Sequence, residues 1–376
     1  MNLQRPSLSI SERLDWLRLI RSENVGPITF YRLLDRFGDA ASALAAIPEL
    51  ARKGGRKRPI VVCSKAAALR ELEAHEKLGA QLVARGEPSY PPALAAVEDA
   101  PPLLSVRGNT HLLPRPAVAM VGARNASING RNFARKLAFE LGRGGFVVAS
   151  GLARGIDTAA HEGALDGGTV AVMAGGVDVV YPPENKRLYE EIVARGAVVC
   201  EMPPGTQPQA SHFPRRNRII SGISLGVVVV EASPRSGSLI TARFALEQGR
   251  EVFAVPGSPM DPRCQGPNGL IRQGATLVQS AADIFEALDL LLRRPLAEPP
   301  KGSFTPGAAP IPDDSEVEKA RKEVGEALGS SPVTVDEIIR QCQLSASVVS
   351  MVLLELELAG RLERHPGNRV SLLHGL

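Results

Sequence analysis

The sequence predicts an α/β chain in three parts: a doubly wound parallel sheet, preceded by a small helical bundle and followed by a winged helix. Three observations carry that expectation. Between about residues 110 and 290, six short apolar segments alternate with amphipathic stretches. The run Pro295–Asp314 holds six prolines among small and polar residues. Beyond it, two helical segments and a hairpin pattern close the chain.

The first element is helical from Ser11 to about Ala46, with Leu14, Leu17 and Ile20 on one face. Val25-Gly26-Pro27 interrupts it. A second helix over Thr29–Phe37 stops at Gly38, and a third over Ala40–Ala46 is expected to halt at Pro48. Helix, Val-Gly-Pro hairpin, helix resembles a SAM-like or helix-hairpin-helix bundle. Two readings stay open: a hairpin whose amides bind nucleic-acid backbone, or a docking bundle. The basic Arg52–Arg58 loop that follows reads as solvated surface or as an auxiliary phosphate contact.

The sheet strands are expected at Ala117–Val121, Phe146–Ser150, Thr169–Ala174, Ala197–Glu201, Gly226–Glu231 and Glu251–Val255. They are short and apolar at both parities, as a sheet covered on both faces requires. Helices fall between them, at Gly130–Leu141, Thr158–Leu165, Lys186–Ala194, Arg216–Ile223 and Leu239–Gln248, and crossovers of this kind imply parallel pairing. Residues 75–109 are expected to add further pieces. Past the proline-rich linker, Val333–Ile339 opens a helix, Leu344-Ser345 turns, Ala346–Leu358 forms a second helix, and two short strands flank His365–Asn368. The expected domains are therefore 1–72, 73–292, a linker over 293–314, and 315–376.

Composition excludes several classes. The chain has 376 residues, 44% hydrophobic and 22% charged, the balance of an ordinary globular protein. No apolar run approaches the ~18 residues of a membrane span, and no apolar stretch follows the early positive charge as in a signal peptide. Cys63, Cys200, Cys264 and Cys342 lie far apart, a pattern that suits a reducing compartment and not a zinc ribbon. These features predict a cytoplasmic protein with no membrane association. Net charge is +4, and its excess lies near the N-terminus: residues 1–70 carry thirteen Lys and Arg against six Asp and Glu. A polyanion site in the near-neutral middle therefore needs clustered arginines.

Such clusters sit at the expected strand ends, where parallel sheets bind ligands. The first strand ends in Gly122-Ala123-Arg124, where glycine lets backbone approach a ligand and the next helix offers free amides to an anion. Arg124 stands where a dinucleotide fingerprint has its second glycine, so a phosphate site fits and an NAD site does not. The second strand ends in Ser150-Gly151-Leu152-Ala153-Arg154-Gly155-Ile156-Asp157. Asp157 is placed to cap the following helix. Later come Tyr181-Pro182-Pro183 with Lys186 and Arg187, then Phe213-Pro214-Arg215-Arg216-Asn217-Arg218. In the latter, three guanidiniums and an amide crowd an aromatic ring: arginines pair bidentately with phosphate and a ring stacks a base. After the fifth strand, Ser236, Gly237, Ser238 and Thr241 form an anion nest at a helix start.

Catalytic patterns are poor. There is no P-loop. Gly222-Ile223-Ser224-Leu225-Gly226 matches the hydrolase elbow but runs from helix to strand, the wrong order. His161 reads as a hydrogen-bonded core histidine. No catalytic residue, metal or cofactor is assigned.

The segments Val121–Arg124, Ser150–His161, Phe213–Gly222, Arg235–Ala242, Val255–Ser258 and Asn268–Ile271 closely resemble, in order, the signatures of the DNA-processing protein A (DprA/Smf) family. The resemblance implies an extended Rossmann-like domain that binds single-stranded DNA by its phosphates without reading sequence. With no paired carboxylates and no nucleophile–base couple at the polar sheet edge, the site reads as one for binding and the protein is expected not to be an enzyme. The resemblance further implies a homodimer, interaction with RecA, and displacement of single-strand-binding protein during natural transformation. By motif, the family's key arginine falls on Arg124, and Phe213, Arg216, Asn217 and Arg218 supply its second binding segment. Pro183 stands where some relatives carry a DNA-contacting lysine, leaving Lys186 or Arg187 to substitute. Leu270, Ile271 and Leu277 fall where relatives dimerise, although Leu277, in a strand pattern, reads equally as core. The alternative function is a nucleotide phosphoribohydrolase of the lysine-decarboxylase-like fold, whose P-G-G-x-G-T-x-x-E loop the Arg235–Thr241 segment lacks. A winged-helix transcription factor fits less well, because Glu355 and Glu357 on the presumed recognition helix repel phosphate; that module reads as a protein-contacting one.

Overall fold

The computed structural model describes residues 7–293, 314–365 and 367–373. The expected linker over 293–314 lies almost wholly outside them. By internal contacts the described chain divides into two units: a central one, residues 7–8 with 70–293, and a terminal one formed by residues 9–69 with 314–365 and 367–373.

The terminal unit begins with α1 (Ile10–Ile20), α2 (Pro27–Phe37) and α3 (Ala40–Lys53). Local chemistry sets each start. Ser9 and Glu12 form a reciprocal capping box on α1, Pro27 opens α2 where its missing N–H costs nothing, and Asp39 accepts from the Ser42 amide at 2.8 Å. Gly38 closes α2 at φ 80°. Pro48, expected to stop α3, lies inside it. Ile47, Leu50 and Ala51 on either side are buried, whereas Pro48 is exposed, so packing on both sides carries the helix past the proline.

In the central unit, α4 (Lys65–Lys77), inside which the division falls, leads to β1 (Ala80–Ala84), a short α5 (Pro92–Ala95) and β2 (Leu103–Gly108). The alternating core follows: β3 (Ala117–Val121), α6 (Ile128–Arg143), β4 (Val147–Ser150), α7 (Ile156–Ala164), β5 (Thr169–Val172), α8 (Lys186–Arg195), β6 (Ala197–Cys200), α9 (His212–Ile223), β7 (Gly226–Val229), α10 (Gly237–Glu247), β8 (Glu251–Ala254), α11 (Gln265–Arg272), β9 (Thr276–Leu277) and α12 (Ala281–Arg293). The sheet order is β1-β2-β6-β5-β4-β3-β7-β8-β9. From β6 to β9 every pairing is parallel; β2 joins β6, and β1 joins β2, antiparallel. The first strand of the alternation, β3, lies between β4 and β7, so the winding reverses there. Residues of β3 alternate between two cores: Ala117, Ala119 and Val121 pack with α9 and α10, while Val118 and Met120 pack with α6, α7 and α12. This is the doubly wound α/β sheet the apolar strands required.

The terminal unit resumes with α13 (Asp314–Ala327), which the sequence reading missed, then β10 (Val333–Thr334), α14 (Val335–Cys342), α15 (Ala346–Leu358), β11 (Leu362–His365) and β12 (Arg369–Leu372). The three strands pair in the order β10-β12-β11, completing a winged helix. Among the described residues no single helix is long and apolar enough to cross a membrane.

Candidate nucleic-acid interface

The pocket forms where β3, β4 and β5 end. It has a volume of about 330 Å³ and is lined by Arg124, Asn125, Gly151, Ala153, Arg154, Tyr181, Pro182, Phe213 and Arg216. Parallel strands deliver their connecting loops to this edge, and the winding reversal at β3 opens a crevice there.

Its floor depends on a missing atom. A Cβ on Gly151 would lie 1.4 Å from Nη1 of Arg216, so glycine is what admits the guanidinium. Arg216 is only 6% exposed, and its Nε has no hydrogen-bond partner among the described residues. Burial pushes its pKa down to about 10, opposed by Asp157 and assisted by Arg124, which leaves it charged at neutral pH. The Asp157 carboxyl accepts from the amides of Gly151 (3.2 Å) and Ala153 (3.3 Å), so it ties down the loop, while Gly155 takes the cap position expected for it. Burial raises the Asp157 pKa, with Arg216 pulling the other way.

Aromatic surface completes the mouth. Phe213 and Tyr181 meet edge to face, centroids 5.8 Å apart. The guanidinium carbons of Arg124 and Arg216 lie 5.4 and 5.9 Å from the Phe213 ring centroid, within cation–π range. Arg124 and Arg154 are exposed, and Arg154 is ion-paired with Glu184. Three arginines thus surround one opening beside two rings. That arrangement can hold an anionic group and stack a planar one.

Several expected site residues serve other purposes. The Arg218 guanidinium points away from this lining. It is held by Glu201 and by Asp99 at 3.5 Å; burial would lower its pKa, but these carboxylates raise it. Arg215 lies 3.9 Å from Glu201. Asn217 reaches the Gly237 carbonyl at 3.3 Å, joining α9 to the start of α10. Ser150 is fully buried and donates to the Met120 carbonyl at 2.6 Å. Ser236 caps α10, Ser238 donates to the Gly122 carbonyl at 2.8 Å, and Thr241 is buried. Gly237 has open space where a Cβ would stand. Lys186 and Arg187 are exposed, Arg187 pairing with Glu191 at 3.0 Å, and neither lines the pocket.

Two glycines answer to packing: Gly122, expected to let backbone approach a ligand, and Gly155. A Cβ on Gly122 would meet Ile156 at 2.5 Å, so this glycine serves helix–strand packing. Gly155, at φ 79°, lies against the carbonyls of Ala123 and Arg124. Nor does the α6 N-terminus await an anion. Glu231 already accepts there from the Ser127 amide (2.8 Å) and hydroxyl (2.5 Å), and a Cβ on Gly130 would strike its carboxyl at 2.5 Å.

The sequence reading missed Tyr181, Asn125 and Glu231 as site residues. In the Tyr181–Arg187 run the cations are the expected contacts, whereas Tyr181 and Pro182 are what line the pocket. His161 is fully buried, with Nδ1 2.7 Å from the Thr169 hydroxyl, which itself donates to the Val148 carbonyl at 2.8 Å. Burial, with Arg216 nearby, lowers its pKa to about 3. It is neutral and sealed from the pocket, unsuited to proton transfer. Farther along, Leu270 packs partly on the core and Ile271 is half-buried. Leu277 is 42% exposed on the edge strand β9, not the core residue its strand pattern allowed.

Three family models match the sequence: DNA recombination-mediator protein A over residues 81–289, DprA-like N-terminal HHH domain over 11–74, and DprA winged helix domain over 306–368. Protein Smf of Escherichia coli (strain K12) is 43% identical over 286 residues, 75% of this chain and 75% of its own length. Protein Smf of Synechocystis sp. is 32% identical over 394 residues, 96% of this chain and 98% of its own. Among solved structures, DNA processing protein A from Streptococcus pneumoniae matches with a TM-score of 0.62 at 36% identity, covering 74% of this chain and 98% of that one. DNA processing protein A from Helicobacter pylori, described for its single-stranded DNA binding mode, matches with a TM-score of 0.52 at 28% identity, covering 56% and 96%.

Proposed function

The chain belongs to the DNA recombination-mediator protein A family, and from that premise we propose that its strand-edge pocket binds single-stranded DNA. The observation that carries this reading is Arg216. A buried cation whose Nε lacks a partner is costly, and its guanidinium lines an opening of the size and polarity for a phosphate. Arg124 and Arg154 flank the path a backbone would follow. Phe213 and Tyr181 offer a platform on which any base can stack. Among the described residues Asn125 is the one amide side chain in the lining, too few to read a run of base edges, so binding is indifferent to sequence. The site works by holding its ligand, not by turning it over.

On the same reading, the protein shelters an incoming strand in the cytoplasm, displaces single-strand-binding protein from it and loads RecA on it during natural transformation. It does so as a homodimer through Leu270, Ile271 and Leu277. The exposed Leu277 on an edge strand supports that placement, and Ile271→Glu is expected to give a folded monomer by sedimentation and circular dichroism.

The pocket is tested by fluorescence anisotropy with single-stranded DNA, duplex DNA and RNA across a salt series. An Arg124→Ala/Arg216→Ala protein is expected to bind single strands more weakly and with a shallower salt dependence, by roughly 0.7 in slope per lost contact. Unchanged affinity and slope in a folded double variant would remove this pocket from the function.

A further inference from the structure

The central helix of the winged helix has the wrong surface for DNA. In winged-helix and helix-turn-helix readers, one helix turns polar side chains to base edges and cations to phosphate. None of the thirteen residues of α15 is Lys or Arg, and Val348, Val349, Met351, Val352, Leu353, Leu354, Leu356 and Leu358 are all buried. A helix apolar all round needs cover on every side. The elements of its own module, α13, α14 and β11, cover one part of α15; α2 and α3 of the N-terminal bundle cover the rest.

The polar groups along this seam are shared between the two modules. A helix leaves its last carbonyls without partners, and here each module supplies the other's. Asn24, in the turn between α1 and α2, donates to the Leu358 carbonyl at the end of α15, at 3.1 Å. Arg361, just beyond α15, donates to the Gly54 carbonyl at the end of α3, at 3.3 Å. The backbones approach so closely that a Cβ on Gly54 would lie 2.0 Å from the Glu355 carbonyl oxygen. Gly54 has φ −71° and ψ 0°, a conformation open to any residue. Its glycine is required by contact, not by backbone geometry.

We infer that the N-terminal bundle and the winged helix form one obligate folding unit, in which the bundle occupies the face a winged helix otherwise turns to DNA. Each module covers what would be a nucleic-acid surface in the other: the hairpin turn is engaged with α15, and α15 with α3. The unit therefore takes no duplex DNA through α15. None of this depends on the pocket of the central unit, and single-strand binding there can be right or wrong independently.

Hydrogen exchange on the full-length chain tests it. In rising denaturant, the slow amides of α3 and α15 are expected to open together, with one midpoint. Gly54→Ala adds one methyl group at a permissive backbone position; were the modules independent, it would be neutral or mildly stabilising. It is expected instead to speed exchange at least tenfold in α3 and α15 alike, leaving exchange in the central sheet unchanged. A second protein, Asn24→Ala/Arg361→Ala, removes only the shared hydrogen bonds and is expected to give a smaller shift in the same two helices. Should Gly54→Ala fail to fold, this pair carries the test. Separate midpoints for α3 and α15, or unaltered exchange in both variants, would overturn the inference. So would added protection of residues 346–358 when wild-type protein is mixed with duplex DNA.

Discussion

Arg216 in the pocket and Arg321 in the terminal unit are both largely covered arginines, yet they have opposite surroundings. Arg321 meets Glu355 through two contacts of 2.7 and 3.0 Å, and the Glu355 side chain is 2% exposed. Arg216 has no carboxylate within ion-pairing distance among the described residues and keeps one N–H unbonded. One cation is spent on cohesion; on the proposed reading the other is held for a ligand. The same contrast recurs two residues along α9, where Arg218 is clamped by Glu201 and Asp99. What separates Arg216 from Arg218 and Arg321 is that no carboxylate lies within ion-pairing distance of it among the described residues.

The comparison breaks most visibly at Arg321. Arg321→Met leaves the Glu355 charge buried and alone, and is expected to cost the terminal unit about 3–5 kcal/mol, measured by urea unfolding, with single-strand affinity unchanged. Next comes Arg216→Ala. It is expected to cost about 1.5–3 kcal/mol of single-strand binding, the range for hydrogen bonds to charged groups, while stability changes little, because the desolvated cation and its attraction for Asp157 leave together. Loss of stability without loss of affinity would make Arg216 another Arg321. Arg218→Ala should show that opposite pattern.

His161 extends the contrast to pH. Its folded pKa of about 3 lies below the ordinary 6.5, so the unfolded chain binds the extra proton and stability falls as pH drops from 6.5 toward 3. The slope from this group is about 1.4 kcal/mol per pH unit. Asp157, whose pKa burial raises, opposes it between its ordinary and raised values. His161→Gln is expected to flatten the acid limb by roughly one proton in a titration of unfolding midpoints. The smallest effect belongs to Glu184, the exposed partner of Arg154. Glu184→Gln is expected to raise single-strand affinity about two- to fivefold, the worth of a surface pair, and to steepen its salt dependence; weaker binding would mean that Arg154 needs its carboxylate.

The strands of the central sheet were legible because burial on both faces imposes a run of Val and Ala that little else explains. The bounds of α15 coincide with those read from its apolar residues. Pro48 misled because the buried residues on either side of it, Ile47, Leu50 and Ala51, hold the helix through the proline, and that packing is invisible in sequence. The alternating charges of Asp314–Ala327 hid α13, whose buried stripe is just Val317, Ala320 and Val324. In the site, the arginine-rich segment was plain, but Arg216 and Arg218 look alike until Gly151 and Glu201 are set beside them. Glu231 was beyond reach for a related reason: its partner Ser127 is 104 positions away.

That glutamate has a further consequence. In dinucleotide-binding relatives of this architecture, the helix after the first strand receives a diphosphate on its N-terminal amides. Here the chain has lodged its own carboxylate in that seat, bonded to Ser127 and fitted against Gly130. A soluble nucleotide would have to evict a negative charge to enter, whereas a long strand reaching the neighbouring arginines has no need of the seat. The chain's own carboxylate thus fills the seat a diphosphate would take, and on the proposed reading the polymer binds beside it, at the strand edge.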